Sequence, residues 1–302
     1  MKIATTIGEM YPFTSSPAEA IRQYAGTGFR YLDYSFYSAV YAQNHPFMGD
    51  DWKAQVLEAK AAAEELGFSF VQAHAPACQL IGDDLERALL GTKRSIEACG
   101  ILGIHNMVIH SGSSEAYKYP EDKLAYFKAN EPFLRELIPE MEKYEVSILF
   151  ENTTIKHCGD RNYFPITGQD LKDFTLFMNH PLFGAAWDVG HANMDQIDHY
   201  TQIMTMGKTL KAIHVHDNDG TWDQHTAPLH GNMDYDSLMR GLIESGYDGY
   251  FTLESDGFFR YNRNQKLTGP LAHPTLEIKR AALSLLYVIS KTILEAYGVY
   301  EE

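Results

Sequence analysis

The sequence lacks the signals that define several large classes of protein. Its three cysteines, Cys78, Cys99 and Cys158, are odd in number and form no CxxC pair. A disulfide framework and a zinc–thiolate site are therefore not expected. No apolar run approaches the roughly 18 residues needed to cross a bilayer. The opening residues, MKIATTIGEM, carry no apolar h-region of a secretory signal. The expectation is a soluble cytoplasmic protein with no membrane partner. Basic residues are scarce, 25 Lys and Arg against 40 Asp and Glu, for a net charge of −15. No cluster of them is longer than the pair in TKRS. Proteins that grip phosphate backbones normally present a basic face, so nucleic acid is not the expected partner. No Pro/Gly/Ser-rich linker divides the chain.

What the chain does have is a repeating rhythm of strand and helix. Eight β-branched or apolar runs are spaced along it: KIATTIG, FRYLDYSF, FSFVQAHAP, HNMVIHSG, VSILFENT, LFGAAWDVGH, LKAIHVHDN and GYFTLES. Each is followed by a segment with helical spacing of its apolar residues. DWKAQVLEAKAAAEELG is the clearest, rich in Ala, Glu, Lys and Leu and stopped by glycine. In EDKLAYFKANEPFLRELIPEMEKYE, Pro139 should start a new turn or kink. Regular βα alternation implies parallel strands joined by right-handed crossovers. Eight units in 302 residues point to a single (β/α)8 TIM barrel spanning residues 1–302, with a long C-terminal helix. An open doubly wound sheet is the alternative, but TIGEMYPF after the first strand lacks its Gly-rich phosphate loop.

In such a barrel the chemistry belongs at the C-terminal ends of the strands. Seven of the eight strands end in a metal-ligand or proton-transfer residue: Asp33, His74, His110, Glu151, Asp188 with His191, His214 with His216, and Glu254. The circle of strands makes these groups converge. Converging carboxylates lose hydration and repel one another unless a counter-charge is present. One divalent metal ion per chain supplies it. Ligands of the Asp/Glu/His type without thiolate suit Mn²⁺ best, with Zn²⁺, Co²⁺ or Mg²⁺ as alternatives. Glu151 and Glu254 stand out because each ends an apolar strand, SILFE and YFTLE. His214 and His216 share a strand face, so spacing leaves open which of them would bind. Asp33, His74 and His110 also read as turn or core residues when taken one by one. His105, His157, His199 and His273 read as surface or loop residues, and Trp187 as either substrate contact or barrel packing.

The segments HAP, IHSG, FENT, WDVGH, KAIHVHD, DQHTAPLHGNMD and TLES together resemble the xylose-isomerase-like barrel superfamily. That superfamily includes ketose 3-epimerases, related isomerases and dehydratases, and endonuclease IV. The resemblance spans strands three to eight. It implies metal ligands at Glu151, Asp188, His214 and Glu254, and selects His214 over His216. It also implies additional metal or substrate positions at His74, His110, His191, Asp223 and His225, which would permit a multinuclear site. Gly220 stands where ketose 3-epimerases carry an arginine, and His157 where they carry a second glutamate.

These readings lead to a metal-dependent isomerase or epimerase of a sugar or polyol, acting by proton abstraction next to a carbonyl. Glu151 and Glu254 would carry the proton on the two faces, and His191 would orient the substrate or a water. The aromatics Trp187, Trp222, Phe258 and Phe259 would pack on the sugar. The long loops after strands one, two and eight would set substrate choice. A lyase or dehydratase using the same proton abstraction is one alternative. An endonuclease IV-like nuclease acting at abasic sites is another. The resemblance also suggests assembly as a homodimer or homotetramer.

Overall fold

The computed structural model describes residues 1–155, 164–259 and 273–302. Eight parallel strands lie in the order β7-β6-β5-β4-β3-β2-β1-β8. They are β1 (Ile3–Thr6), β2 (Tyr31–Ser35), β3 (Ser69–His74), β4 (Asn106–Ile109), β5 (Ser147–Glu151), β6 (Phe183–Asp188), β7 (Leu210–His214) and β8 (Phe251–Leu253). The ring is closed by a parallel bridge from Val215 to Leu253, with Val215 N donating to Thr252 O at 2.8 Å and Glu254 N to Val215 O at 3.0 Å. The fold is a TIM barrel, as the strand–helix rhythm predicts.

Around it run helices α1 (Pro17–Arg22), α2 (Trp52–Leu66), α3 (Glu86–Leu102), α4 (Lys123–Arg135), α5 (Ile138–Tyr144), α6 (Gly168–Met178), α7 (Val189–Met194), α8 (His199–Met206), α9 (Tyr235–Ser245) and α10 (Leu276–Ala296). The helical stretch after β4 is two helices, with Pro139 in the first turn of the second, where a missing N–H costs nothing. Pro132 lies inside α4 itself. Among the described residues no helix is long and apolar enough to cross a membrane.

Strand alternation divides the protein into two cores. Outward-facing residues pack under the helices. There Phe127 stacks on Phe174 at 4.4 Å, Phe174 on Phe150 at 4.1 Å, and Phe150 meets Phe183 at 5.4 Å. Inward-facing Val108, Leu149, Ala186 and Ala212 form a small apolar cluster of their own inside the barrel. Two residues further along the same four strands, on the same face, come His110, Glu151, Asp188 and His214. The period of two that fills the barrel thus delivers polar side chains to its mouth.

A buried ion pair fastens the last helix to the mouth. Lys279, on α10, is 3% exposed and places Nζ 3.0 Å from Glu9 Oε2, in the turn after β1. The same ammonium donates to Phe258 O at 3.1 Å and Asp256 O at 3.3 Å, in the loop after β8. Two of its N–H groups thus have carbonyl acceptors, and the Glu9 carboxylate balances its charge. Removing one partner strands the other charge in the interior. Lys279→Met should therefore destabilise the protein by about 3–5 kcal/mol, and Glu9→Gln added to it should restore part of that loss. Urea unfolding of the wild type and the two variants measures this. A Lys279→Met protein as stable as wild type would contradict it.

Candidate metal centre and active face

Three groups of side chains at the barrel mouth each bring ligand atoms within 4.8 Å of one another. The central group is Glu151, Asp188, His214 and Glu254. Beside it lie His74, His110 and Glu151, and on the other side His191, Asp223 and His225. Glu151 belongs to two groups. Its Oε1 is 2.6 Å from His214 Nδ1, while its Oε2 is 3.1 Å from His110 Nε2 and 3.5 Å from His74 Nε2. Glu151 is 1% exposed, whereas the Glu254 side chain is 20% exposed and lies 3.6 Å from His214 Nδ1. Glu254 is thus the carboxylate of the central group that meets solvent.

The fit of these groups to a cation can be judged from the second nitrogen of each imidazole. His74 Nδ1 lies 2.8 Å from Ala75 O, His191 Nδ1 2.9 Å from Asn152 O, and His225 Nδ1 2.7 Å from Glu254 O. A carbonyl only accepts, so each Nδ1 carries the proton and each Nε2 is turned towards a carboxylate. Anchoring one nitrogen to a carbonyl is the arrangement that orients metal-binding histidines. His214 is turned the other way. Its Nδ1 faces Glu151 and Glu254, and its Nε2 lies 2.8 Å from the Gln72 amide and 3.9 Å from Asp33 Oδ2. Gln72 also donates to Asp33 at 3.0 Å. Asp33 therefore sits behind His214, one layer below the mouth. The Oε2 atom of Glu151 accepts no well-directed hydrogen bond although it is fully buried. Buried oxygen and imidazole nitrogen without thiolate suit a divalent ion of the Mn²⁺, Zn²⁺ or Co²⁺ type.

His214 and His216, alike in spacing, have different surroundings. His216 is fully buried with Nε2 3.1 Å from both Asp188 oxygens, and its ring stacks on His225 at 3.9 Å. It steadies Asp188, which also accepts from His191 N at 2.6 Å. Gly190 makes room for this stack, because a Cβ there would overlap the His216 ring. Asp223 and His225 reach the site because the loop after β7 folds back on itself. Asp217 and Thr226 form an antiparallel bridge with hydrogen bonds of 3.1 and 3.0 Å. Asp223 Oδ2 then lies 2.8 Å from His225 Nε2 and 3.5 Å from His191 Nε2.

Of the two readings of Trp187 the structure bears out barrel packing, and it buries Phe258, expected to pack on the sugar. Trp187 is fully buried and its indole donates to His199 Nδ1 at 3.2 Å, so it packs under α8 and away from the mouth. Its neighbour Asp188 points inward, and alternation sends Trp187 outward. His199, read as a surface or loop residue, is 2% exposed for the same reason. Phe258 is buried at 5%, whereas Phe259 and Trp222 are exposed. His157 lies outside the described residues. One residue of the mouth has no distinguishing signal in the sequence: Tyr37, whose ring stands 5.3 Å from that of His74. Burial pushes its phenol above the ordinary range, and the charges of Glu254 and Glu151 push it further. The sequence marks the loop after β2 as a whole, and nothing in SFYSAV separates Tyr37 from its neighbours.

Comparison with known proteins gives a family and a fold. The family model described as xylose isomerase-like TIM barrel matches residues 21–268. The fructoselysine 3-epimerase of Escherichia coli O157:H7 is 43% identical over 49 residues, 16% of this chain and 18% of that protein. The chain spans less than half the length of the curated relatives it matches. Among solved structures, D-psicose 3-epimerase from Clostridium cellulolyticum H10 superposes with a TM-score of 0.73 at 18% identity, covering 97% of this chain and 99% of that one. A 3-keto-D-glucoside 4-epimerase from E. coli superposes with a TM-score of 0.69 at 17% identity, covering 95% and 99%. At these identities the structural likeness is one of fold.

The electrostatics yield a test of the site. Burial works against protonated His191, yet Asp188 and Asp223 hold it up at about 10. Burial likewise opposes the charged forms of His214 and His225, and the neighbouring carboxylates hold both well above the ordinary histidine value. A metal needs the bare nitrogen, so it must displace these protons. Adding Mn²⁺ or Zn²⁺ to weakly buffered metal-free protein at pH 7 should release protons, seen with a pH indicator. Affinity should rise as pH rises. Binding without proton release and without pH dependence would show that these histidines do not receive the ion.

Proposed function

The chain belongs to the xylose isomerase-like TIM barrel family, and on that footing we propose that it is a divalent-metal-dependent isomerase or epimerase of a carbohydrate. The observation that carries this reading is the central group: two glutamates, an aspartate and a histidine on four successive strand ends, with Glu254 alone open to the mouth. The epimerase names among the relatives and superposable structures support it. Glu151, Asp188, His214 and Glu254 would hold the ion. Once bound, it would supply Lewis-acid polarisation of a substrate carbonyl and the positive charge that these carboxylates lack.

The remaining steps belong to the protein's own residues. Glu254 is placed to take the proton from the carbon next to the carbonyl. Burial raises its carboxyl above the ordinary value, although His214, His74 and His225 pull it down. A raised carboxyl is a stronger base once ionised. Glu151 returns the proton on the other face. It is the counterpart of Glu254 across His214, which lies 2.6 Å from one glutamate and 3.6 Å from the other. His191, fixed by Asn152 O, turns its Nε2 to the substrate side and orients a hydroxyl or a water. With a leaving group on the next carbon, the same abstraction ends in elimination, which product analysis separates from isomerisation.

The two flanking groups support a second reading. Donor sets on either side of the central one could hold further ions, as a phosphodiester-cleaving centre at abasic DNA sites would require. The net charge of −15 opposes DNA binding and ranks this reading second.

The first reading is tested by proton exchange. Metal-loaded protein in D₂O should introduce deuterium next to the carbonyl of at least one member of a panel of ketoses, inososes, hydroxypyruvate and 3-keto-glycosides. Glu254→Gln should lower turnover at least about 10²-fold, the lower end for loss of a general base. It should lose wash-in on one face and Glu151→Gln on the other. Exchange at the wild-type rate in both variants, with metal retained, would move the bases elsewhere. The second reading has its own test. An abasic-site oligonucleotide should stay intact with Mn²⁺- or Zn²⁺-loaded protein. Rapid, salt-sensitive incision would reverse the ranking.

A further inference from the structure

The exposed aromatic side chains are not scattered over the surface. Among the described residues they are Tyr37 (46% exposed), Tyr41 (63%), Trp222 (37%) and Phe259 (51%). All four follow strand ends: Tyr37 and Tyr41 after β2, Trp222 after β7 and Phe259 after β8. These strands belong to one arc, because β8 pairs with β1, β1 with β2, and β7 meets β8 through the Val215–Leu253 bridge. The loops after β7 and β8 also touch, since a Cβ on Gly257 would overlap Gln224 O. Helix faces and the opposite end of the barrel expose aliphatic residues, but none of the described aromatics. Leaving large apolar rings in water has a cost, and when they gather at the rim of a polar site they mark a surface that is covered in use.

Tyr37 and Tyr41 form an outward ladder from the site. The Tyr37 ring is 5.3 Å from His74, and the Tyr41 ring is 6.0 Å from Tyr37 at 77°. A molecule held by Glu151, Glu254 and the histidines meets Tyr37 first. Only a longer molecule reaches Tyr41. Resting on the reaction proposed above, we infer that Tyr37 and Tyr41 form a stacking subsite for a second ring joined to the reacting sugar, so that the substrate is a neutral glycoside with a ketone on a carbon of its reacting ring, and not a free monosaccharide. Stacking on an aromatic face needs only a flat or apolar face on the partner, which both an aryl group and a sugar ring offer. The net charge of −15 favours a substrate without anionic groups.

The experiment is calorimetric titration of Mn²⁺-loaded protein with methyl β-D-glucoside, 4-nitrophenyl β-D-glucoside and cellobiose. At least one of the two-ring probes should bind about ten-fold or more tightly than the methyl glucoside, equivalent to ~1.4 kcal/mol. A gain for the nitrophenyl compound alone identifies an aryl group as the second ring, and a gain for cellobiose alone identifies a sugar. Tyr41→Ala should reduce the ratio to about three-fold or less, and Tyr41→Phe should keep it. Equal binding of all three probes, no binding by any, or a ratio unchanged in Tyr41→Ala would overturn the inference. So would a dimer by sedimentation velocity that Tyr41→Ala converts to monomer without altering the ratio, since the rim would then serve a second copy of the chain. Failure of the reaction itself is distinguishable. Absent deuterium exchange with an intact binding ratio removes the reaction and leaves the subsite. Exchange without the ratio removes the subsite alone.

Discussion

The barrel mouth depends on one buried carboxylate with more histidines around it than it can satisfy. Glu151 offers one oxygen to His214 and the other to His110 and His74, with almost no access to water. Burial alone would push its carboxyl up, but the neighbouring histidines, His214 foremost through its charge and its hydrogen bond, hold it well below the ordinary value. An ionised group in that position is tolerable only while positive charge stays close to it. Without a bound ion, His214 and His74 carry that charge as protons, since both are raised above the ordinary histidine value, whereas burial lowers His110 to about 4 and leaves it neutral at pH 7. The geometry on both sides of Glu151 follows from this requirement, including the carbonyl anchors that keep His74, His191 and His225 turned inward.

The same strands that carry these groups also hold the protein together, and alternation separates the two duties. Phe150 joins the aromatic stack beneath the helices while Glu151 enters the mouth. Trp187 packs on His199 while Asp188 faces inward. A shift of one residue in any of these strands would exchange the two sets, placing carboxylates under helices and large rings inside the barrel. The small apolar cluster of Val108, Leu149, Ala186 and Ala212 sits one inward step below the polar groups and closes the barrel beneath them. The polar mouth is thereby confined to one end.

Loops complete what the strands begin, and they are held by specific bonds rather than by bulk packing. The Asp217–Thr226 bridge returns Asp223 and His225 over the strand ends. Lys279 binds two carbonyls of the loop after β8 and the Glu9 carboxylate after β1, tying three segments together in the interior. Where these bonds stop, the rim turns aromatic and exposed, at Tyr37, Tyr41, Trp222 and Phe259. The mouth thus grades from buried charge at its centre to apolar rings at its edge. That gradient is what a substrate with a polar reacting end and a flat outer end would match.

Local pattern determined a large part of this protein. Period-two alternation and helical spacing recur eight times, so the barrel is legible in the sequence. For β3 to β8 the polar residue at or just past the strand end is legible too, because burial makes Glu or His at the end of an apolar run conspicuous, whereas Asp33, expected to end the second strand, lies inside β2, which continues to Ser35. Tertiary structure decided how those residues are shared. His214 and His216 have equal spacing, and only the strands across the barrel turn one towards Glu151 and give the other to Asp188. Asp223 and His225 lie more than thirty residues from His191, and only a folded-back loop joins them. Tyr37, Gln72 and Lys279 carried no local signal. Their partners, His74, His214 and Glu9, are distant in sequence, and the contacts exist only once the ring has closed. Local physics acts through neighbours along the chain, whereas a site built from eight strand ends is made of neighbours in space.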